Sequence, residues 1–160
     1  MDYASQAGVA TILAALTLWI QCAGMAVLIH WAKKSIERGV QNLNHWRTAV
    51  LMVRFTVVTI VFHFLEIVLW AGFYRWRFFP TWESSFYFSA TSYSTVGYGD
   101  IVLPEVWRTL GPVESVMGVL MCGLSVSALF AIVTRLISNE INDSVNVGAQ
   151  NAPVDVNELS

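Results

Sequence analysis

Thr95, Val96, Gly97, Tyr98, Gly99 and Asp100 are the residues of this chain whose types and spacing point most directly to a chemistry. Glycine takes positive φ without steric cost, so glycine at every second position lets the backbone alternate across φ. Alternation turns successive carbonyls to one side. Such a row of oxygens, with the Thr95 hydroxyl at its inner end, can replace the water of a cation stripped for passage. Val96 and Tyr98 then point their side chains away from the row. The other reading is a polar turn joining two helices, but valine and tyrosine are poor turn residues.

The elements around this stretch must hold it in place. Just before it, Pro80-Thr81-Trp82-Glu83 reads as a helix start, because Thr81 can cap and Glu83 suits the positive end of the helix dipole. The spacing predicts a short helix from Trp82 to about Ser92, too short to cross a bilayer and hence re-entrant or interfacial. Apolar stretches run from Val9 to Trp31, from Ala49 to Phe73 (interrupted by Arg54, His63 and Glu66) and from Ser115 to Thr134. Each approaches the roughly 20 residues that a helix needs to span about 30 Å of hydrocarbon. The composition agrees: 56% of residues are hydrophobic and only 12% are charged, against about a quarter in soluble domains. Non-helical backbone at membrane depth survives only where protein buries it or where it lines a watery cavity. The fold class expected is an all-α membrane protein with three transmembrane helices, a re-entrant helix and a loop.

Charge placement orients the chain. Lys33, Lys34, Arg38 and Arg47 lie between the first two spans and mark that loop as cytoplasmic. The N-terminus is then outside and the C-terminus inside, although Arg75, Arg77 and Arg108 fall outside and weaken the bias. The acidic Met1-Asp2-Tyr3 start and the long apolar run read as a retained helix rather than a cleaved signal. Trp70, Phe73, Tyr74, Trp76, Phe78 and Phe79 suit an aromatic belt at a membrane surface. The third span opens with Gly111-Pro112-Val113-Glu114, where the glutamate suits the dipole. Residues 138–160 are polar, and a short helical extension followed by a disordered tail is expected. Cys22 and Cys122 fall inside spans and read as buried small hydrophobes. A net charge of −2 without a basic patch gives no reason to expect nucleic acid. No nucleophile–base pair or phosphate loop suggests an enzyme.

Thr95-Val96-Gly97-Tyr98-Gly99-Asp100 is the potassium-channel signature. The chain resembles the prokaryotic channels whose core is two helices, a pore helix and a filter loop, over roughly residues 48–137. The resemblance implies a homotetramer with cyclic symmetry, since four loops must surround the axis and this chain holds one. It implies that Thr95, Val96, Gly97, Tyr98 and Gly99 coordinate K+, that residues 82–92 form the pore helix, and that residues 112–137 line the inner pore. Residues 1–47 are then an extra helix with its basic loop. The partners implied are K+, the lipid of the cell membrane and three identical subunits. In well-known bacterial members a pore-helix tryptophan and glutamate help to hold the aspartate, whereas Phe88 and Thr91 stand at the matching places. Trp82, Tyr87 or water must then hold Asp100.

Several residues keep alternatives open. Gly118 and Gly123 are candidates for a hinge in the third span, with Gly123 preferred, or for close helix packing. Glu66 lies three residues after His63 on one helix face. The reading preferred is a buried carboxylate bonded to the pore helix or to the start of the third span, supporting the filter. A pH sensor and a two-ligand metal site are the alternatives. Ser125, Ser127 and Thr134 face the cavity or bond back to their own helix. At the level of function, the rivals are a weakly selective cation channel and a subunit of a larger potassium transport assembly.

Overall fold

The computed structural model describes residues 3–39 and 45–150, and every described element is helical. Helix α1 covers Tyr3–Gly39, α2 His45–Arg77, α3 Trp82–Tyr93 and α4 Leu110–Gln150, with a 3-10 turn at Glu105–Trp107. Three stretches, Ser5–Lys34, Ala49–Arg77 and Glu105–Arg135, are long and apolar enough to cross a membrane. The chain is an all-α membrane protein.

The helices overrun the apolar stretches because nothing stops a helix at the hydrocarbon edge. α1 continues through Lys33 and Lys34 to Gly39, so most of the expected loop is helix and only residues 40–44 separate α1 from α2. α4 continues to Gln150, which corrects the short extension expected after residue 137. The last ten residues of the tail lie outside the described residues.

α3 starts as its sequence suggests. Thr81 sits at φ −125° and ψ 152°, and its hydroxyl accepts the Ser84 N–H at 3.2 Å. It packs between α2 and α4, and its Phe88 rings against Tyr74 at 5.0 Å and Phe79 at 5.5 Å. Trp70 and Tyr74 are fully buried, so these members of the aromatic cluster build the core rather than a belt; Trp76, 80% exposed, is the one that fits the belt. The cause is α3: a short helix entering from one side needs wide rings to fill the wedge around it.

Polar groups join the spans where lipid gives them no other partner. Trp70 Nε1 donates to Thr17 Oγ1 on α1 at 2.9 Å. Gln21 Nε2 donates to Met121 O at 3.1 Å and to Ser125 Oγ at 2.7 Å, both on α4. α1 is thus bonded to both of the other spans. Cys22 and Cys122 are free and exposed on the single chain, not buried as expected.

Candidate functional site

The loop after α3 adopts the alternation that its composition suggests. Thr95, Gly97 and Gly99 have φ of 63°, 51° and 78°, while Val96 and Tyr98 between them have no positive φ. Two of the three left-handed positions are glycine, where the conformation carries no penalty. Thr95 is not, and a non-glycine residue there costs roughly 1–2 kcal/mol. That cost is met by anchoring: Thr95 N–H donates to Ser92 O at 2.9 Å and Gly97 N–H to Thr91 O at 3.0 Å. The loop is clasped to the last turn of α3, where the carbonyls of a helix end need partners. These carbonyls also carry the negative end of the α3 dipole.

At the outer end, Asp100 is held from two sides. Tyr87 Oη donates to Asp100 Oδ2 at 2.8 Å, and the Ile101 N–H donates to Oδ1 at 3.1 Å. The bond to Asp100 pushes the Tyr87 phenol above its ordinary pKa. The Tyr87 and Tyr98 rings stack at 6.4 Å with 13° between planes. Tyr98 is 72% exposed on the single chain and Val96 51%. An open cavity of about 600 Å³ lies between the loop and the start of α4, lined by Thr91, Thr95, Gly97, Gly99, Ile101 and Pro112 among others.

Two buried carboxylates hold α3 in place. Glu66 on α2 accepts from Tyr93 Oη and lies 3.3 Å from His63 Nδ1. Glu114 on α4 accepts from Tyr74 Oη at 2.8 Å and from Ser89 Oγ. Both are fully buried. α3 therefore bonds to a carboxylate of each flanking span. Ser115 Oγ adds a bond to Ser92 O at 2.6 Å.

This arrangement is a polar backbone loop, alternating in handedness, carried by a short helix packed between two apolar spans. Residues 60–135 match an ion channel family. The matched segment begins within α2 and takes in α3, the 94–100 loop and the membrane portion of α4. It supports an ion channel and points away from an enzyme. No curated protein and no solved structure matches the chain.

The residues singled out from sequence do not all meet at the loop. Thr95 to Asp100 and Tyr87 come together in the loop and its support. Thr91 adjoins the loop, but its hydroxyl bonds back to Tyr87 O and Phe88 O on its own helix. Trp82 is 59% exposed, and no hydrogen bond joins it to Asp100; of the holders weighed for Asp100, Tyr87 is the one in contact. Gly118 packs against α3: a Cβ there would meet the Tyr93 carbonyl carbon at 3.0 Å and its oxygen closer still. Gly123 has nothing within 4 Å of a Cβ. Ser127 and Thr134 bond back to their own helix, while Ser125 faces Gln21 and His63. Among the described residues no group of three or more His, Cys, Asp or Glu could hold a metal ion.

Glu114 was read from sequence as a first-turn dipole partner. α4 begins at Leu110, so Glu114 falls in the second turn and turns inward to α3. Glu66 and Tyr74 each carry a polar group within the apolar second span, which is a local signal, whereas Ser89 and Tyr93 stand among other hydroxyl residues of α3 and carry none.

Proposed function

We propose that this chain is one subunit of a potassium-selective channel in which four copies surround one axis and their 95–99 loops form the filter. The observation that carries this reading is the left-handed backbone at Thr95, Gly97 and Gly99 within the signature stretch. Potassium has to shed water to pass, and carbonyls turned one way replace that shell at similar distances. Thr95, Val96, Gly97, Tyr98 and Gly99 supply the oxygens, and Asp100 fixes the outer end through Tyr87. The C-terminal end of α3 points its negative dipole toward a central cavity and favours a cation there. α4 lines the inner pore.

A lone chain cannot complete such a pore. Its polar loop and the exposed Val96 and Tyr98 would face lipid, which non-helical backbone does not tolerate. Three identical copies remove that exposure. The chain sits in the cell membrane with its N-terminus outside and its C-terminus in the cytoplasm, as Lys33, Lys34, Arg38 and Arg47 suggest.

The test is flux from liposomes containing the purified protein, under a potassium gradient and then a sodium gradient, with and without barium. Selective, barium-sensitive potassium flux is expected. Equal sodium flux would replace the proposal with a weakly selective pore. That second reading is favoured by one observation: among the described residues Tyr87 is the one side chain bonded to Asp100, because Thr91 turns to its own helix. A complex much larger than four chains would point instead to a potassium transport assembly.

A further inference from the structure

Midway along α2, His63 joins a hydrogen-bonded chain that touches all four helices. Its Nδ1 lies 2.9 Å from Tyr93 Oη on α3 and 3.3 Å from Glu66 Oε2 on α2. Its Nε2 lies 3.1 Å from Ser125 Oγ on α4, and that oxygen receives the Gln21 Nε2–H from α1 at 2.7 Å. The donors follow by elimination. Tyr93 has one hydroxyl proton and gives it to Glu66 Oε2. At the Tyr93 contact Nδ1 must therefore be the donor. A neutral imidazole has a single N–H, so Nε2 accepts and Ser125 donates to it.

A second proton on His63 fits the same surroundings. Nε2 then donates, and Ser125 turns its O–H to a carbonyl one turn back in α4, as serines in helices commonly do. That carbonyl, Met121 O, already accepts the Ser125 N–H within α4 and the Gln21 amide at 3.1 Å, so the turned hydroxyl shares it with them. Ser125 Oγ accepts from Gln21 and His63 together. Protonation thus reverses the His63–Ser125 hydrogen bond and makes the α2–α4 contact charge-assisted, about twice as strong as a neutral one. The His63 side chain is 17% exposed on the single chain and that of Glu66 0%, so the ring is the less enclosed of the two groups.

α2 presents the Glu66 carboxylate at 3.3 Å and α3 presents Tyr93. From α4, Cys122 and Glu114 lie within electrostatic reach of Tyr93. α1 contributes Gln21, which does not titrate. None of these groups is a cation.

We propose that His63 is a proton-binding site, and that taking up a proton there locks α4 to α2 and to the end of α3. The lock lies two residues from Gly123, where a Cβ would meet nothing within 4 Å. Proton binding stands apart from the channel reading; its consequence for conduction rests on that reading.

Nitrogen-15 NMR of the full chain, histidine-labelled in lipid vesicles, tests the site as pH is stepped from about 8 to about 5, the range in which histidines titrate. The signals missing from H63Q should show Nδ1 protonated and Nε2 bare at the upper end, and both protonated at the lower end. S125A removes the acceptor and should lower the pH at which the second proton binds. A His63 ring protonated on Nε2 at the upper end, or unchanged across the range, overturns the proposal. Potassium flux from the same vesicles should change at least threefold across the range in wild type and stay flat in H63Q. Flux independent of pH beside an intact titration would overturn the lock. No flux at any pH beside an intact titration would overturn the channel reading and uphold the proton site.

Discussion

Gly118 gives the sharpest test of how α3 is held. A methyl placed there would sit 3.0 Å from the Tyr93 carbonyl carbon and 3.2 Å from its ring Cδ1, with the carbonyl oxygen nearer than either. Carbon and oxygen ordinarily come no closer than about 3.3 Å, so G118A must drive the end of α3 and α4 apart on the order of 1 Å. Tyr93 O is backbone and cannot swing aside as a flexible side chain would. Overpacking of this kind costs about 1–3 kcal/mol, partly offset by the gain of up to about 1 kcal/mol from alanine in a helix. The displacement falls two residues before Thr95 and travels through the Thr95–Ser92 and Gly97–Thr91 bonds. G123A is the internal control, since open space surrounds that position and only the helix gain applies. Equilibrium unfolding in detergent micelles should show G118A less stable by about 1–2 kcal/mol and G123A unchanged or more stable. Vesicle flux in G118A should fall about tenfold or more, a factor equivalent to about 1.4 kcal/mol. A G118A protein as stable and as conductive as wild type would refute the close packing of α4 on the Tyr93 carbonyl.

Other outcomes follow from the same contacts. Y87F keeps the ring stack on Tyr98 but removes the donor to Asp100, so conduction should decay faster during sustained potassium flux; an unchanged time course in recordings would dismiss the bond. Because that bond raises the Tyr87 phenol pKa, its hold is fully present below the ordinary tyrosine value of about 10 and is lost only as pH climbs through the raised value. Between about pH 8, above the His63 range, and about pH 10, wild-type flux should therefore be steady, with any alkaline loss removed in Y87F. E114A leaves Tyr74 Oη without an acceptor while Ser89 can fall back on Ile67 O; unfolding should report a loss of about 1–3 kcal/mol, and Y74F added to it should cost little more. For Gln21 and Ser125, a double-mutant cycle with Q21A and S125A should give a coupling of about 0.6 kcal/mol or more, and strict additivity would deny the α1–α4 bond.

The spans and the loop were legible because each is a local signal. A run of apolar residues long enough to cross a bilayer speaks for itself, and so do glycines alternating with Val96 and Tyr98. The alternation extends one residue further than composition suggests, to Thr95, because the end of α3 anchors that residue from outside its own sequence. What stayed hidden was pairing across long stretches of chain. Glu114 looked like a dipole partner because nothing local places Ser89 and Tyr74 opposite it. Gln21 passed as one polar residue in an apolar run, and its partners lie 100 and 104 residues away. Gly118 and Gly123 looked alike from sequence, and only the approach of Tyr93 O to one of them tells them apart. Trp70 and Tyr74 carried the composition of a membrane-surface belt and proved to be core, since a sequence window does not reveal that a fourth helix wedges in beside them.

The bonds from α1 also bear on the order in which the chain enters the bilayer. α1 leaves the ribosome before its partners exist: Trp70 follows Thr17 by 53 residues and Ser125 follows Gln21 by 104. Thr17 can wait, because its hydroxyl is already bonded to Leu13 O at 2.9 Å within its own turn. The Gln21 amide bonds across to α4, so those two bonds cannot form until α4 arrives. Arrival of α4 is therefore the event that completes the polar contacts of α1.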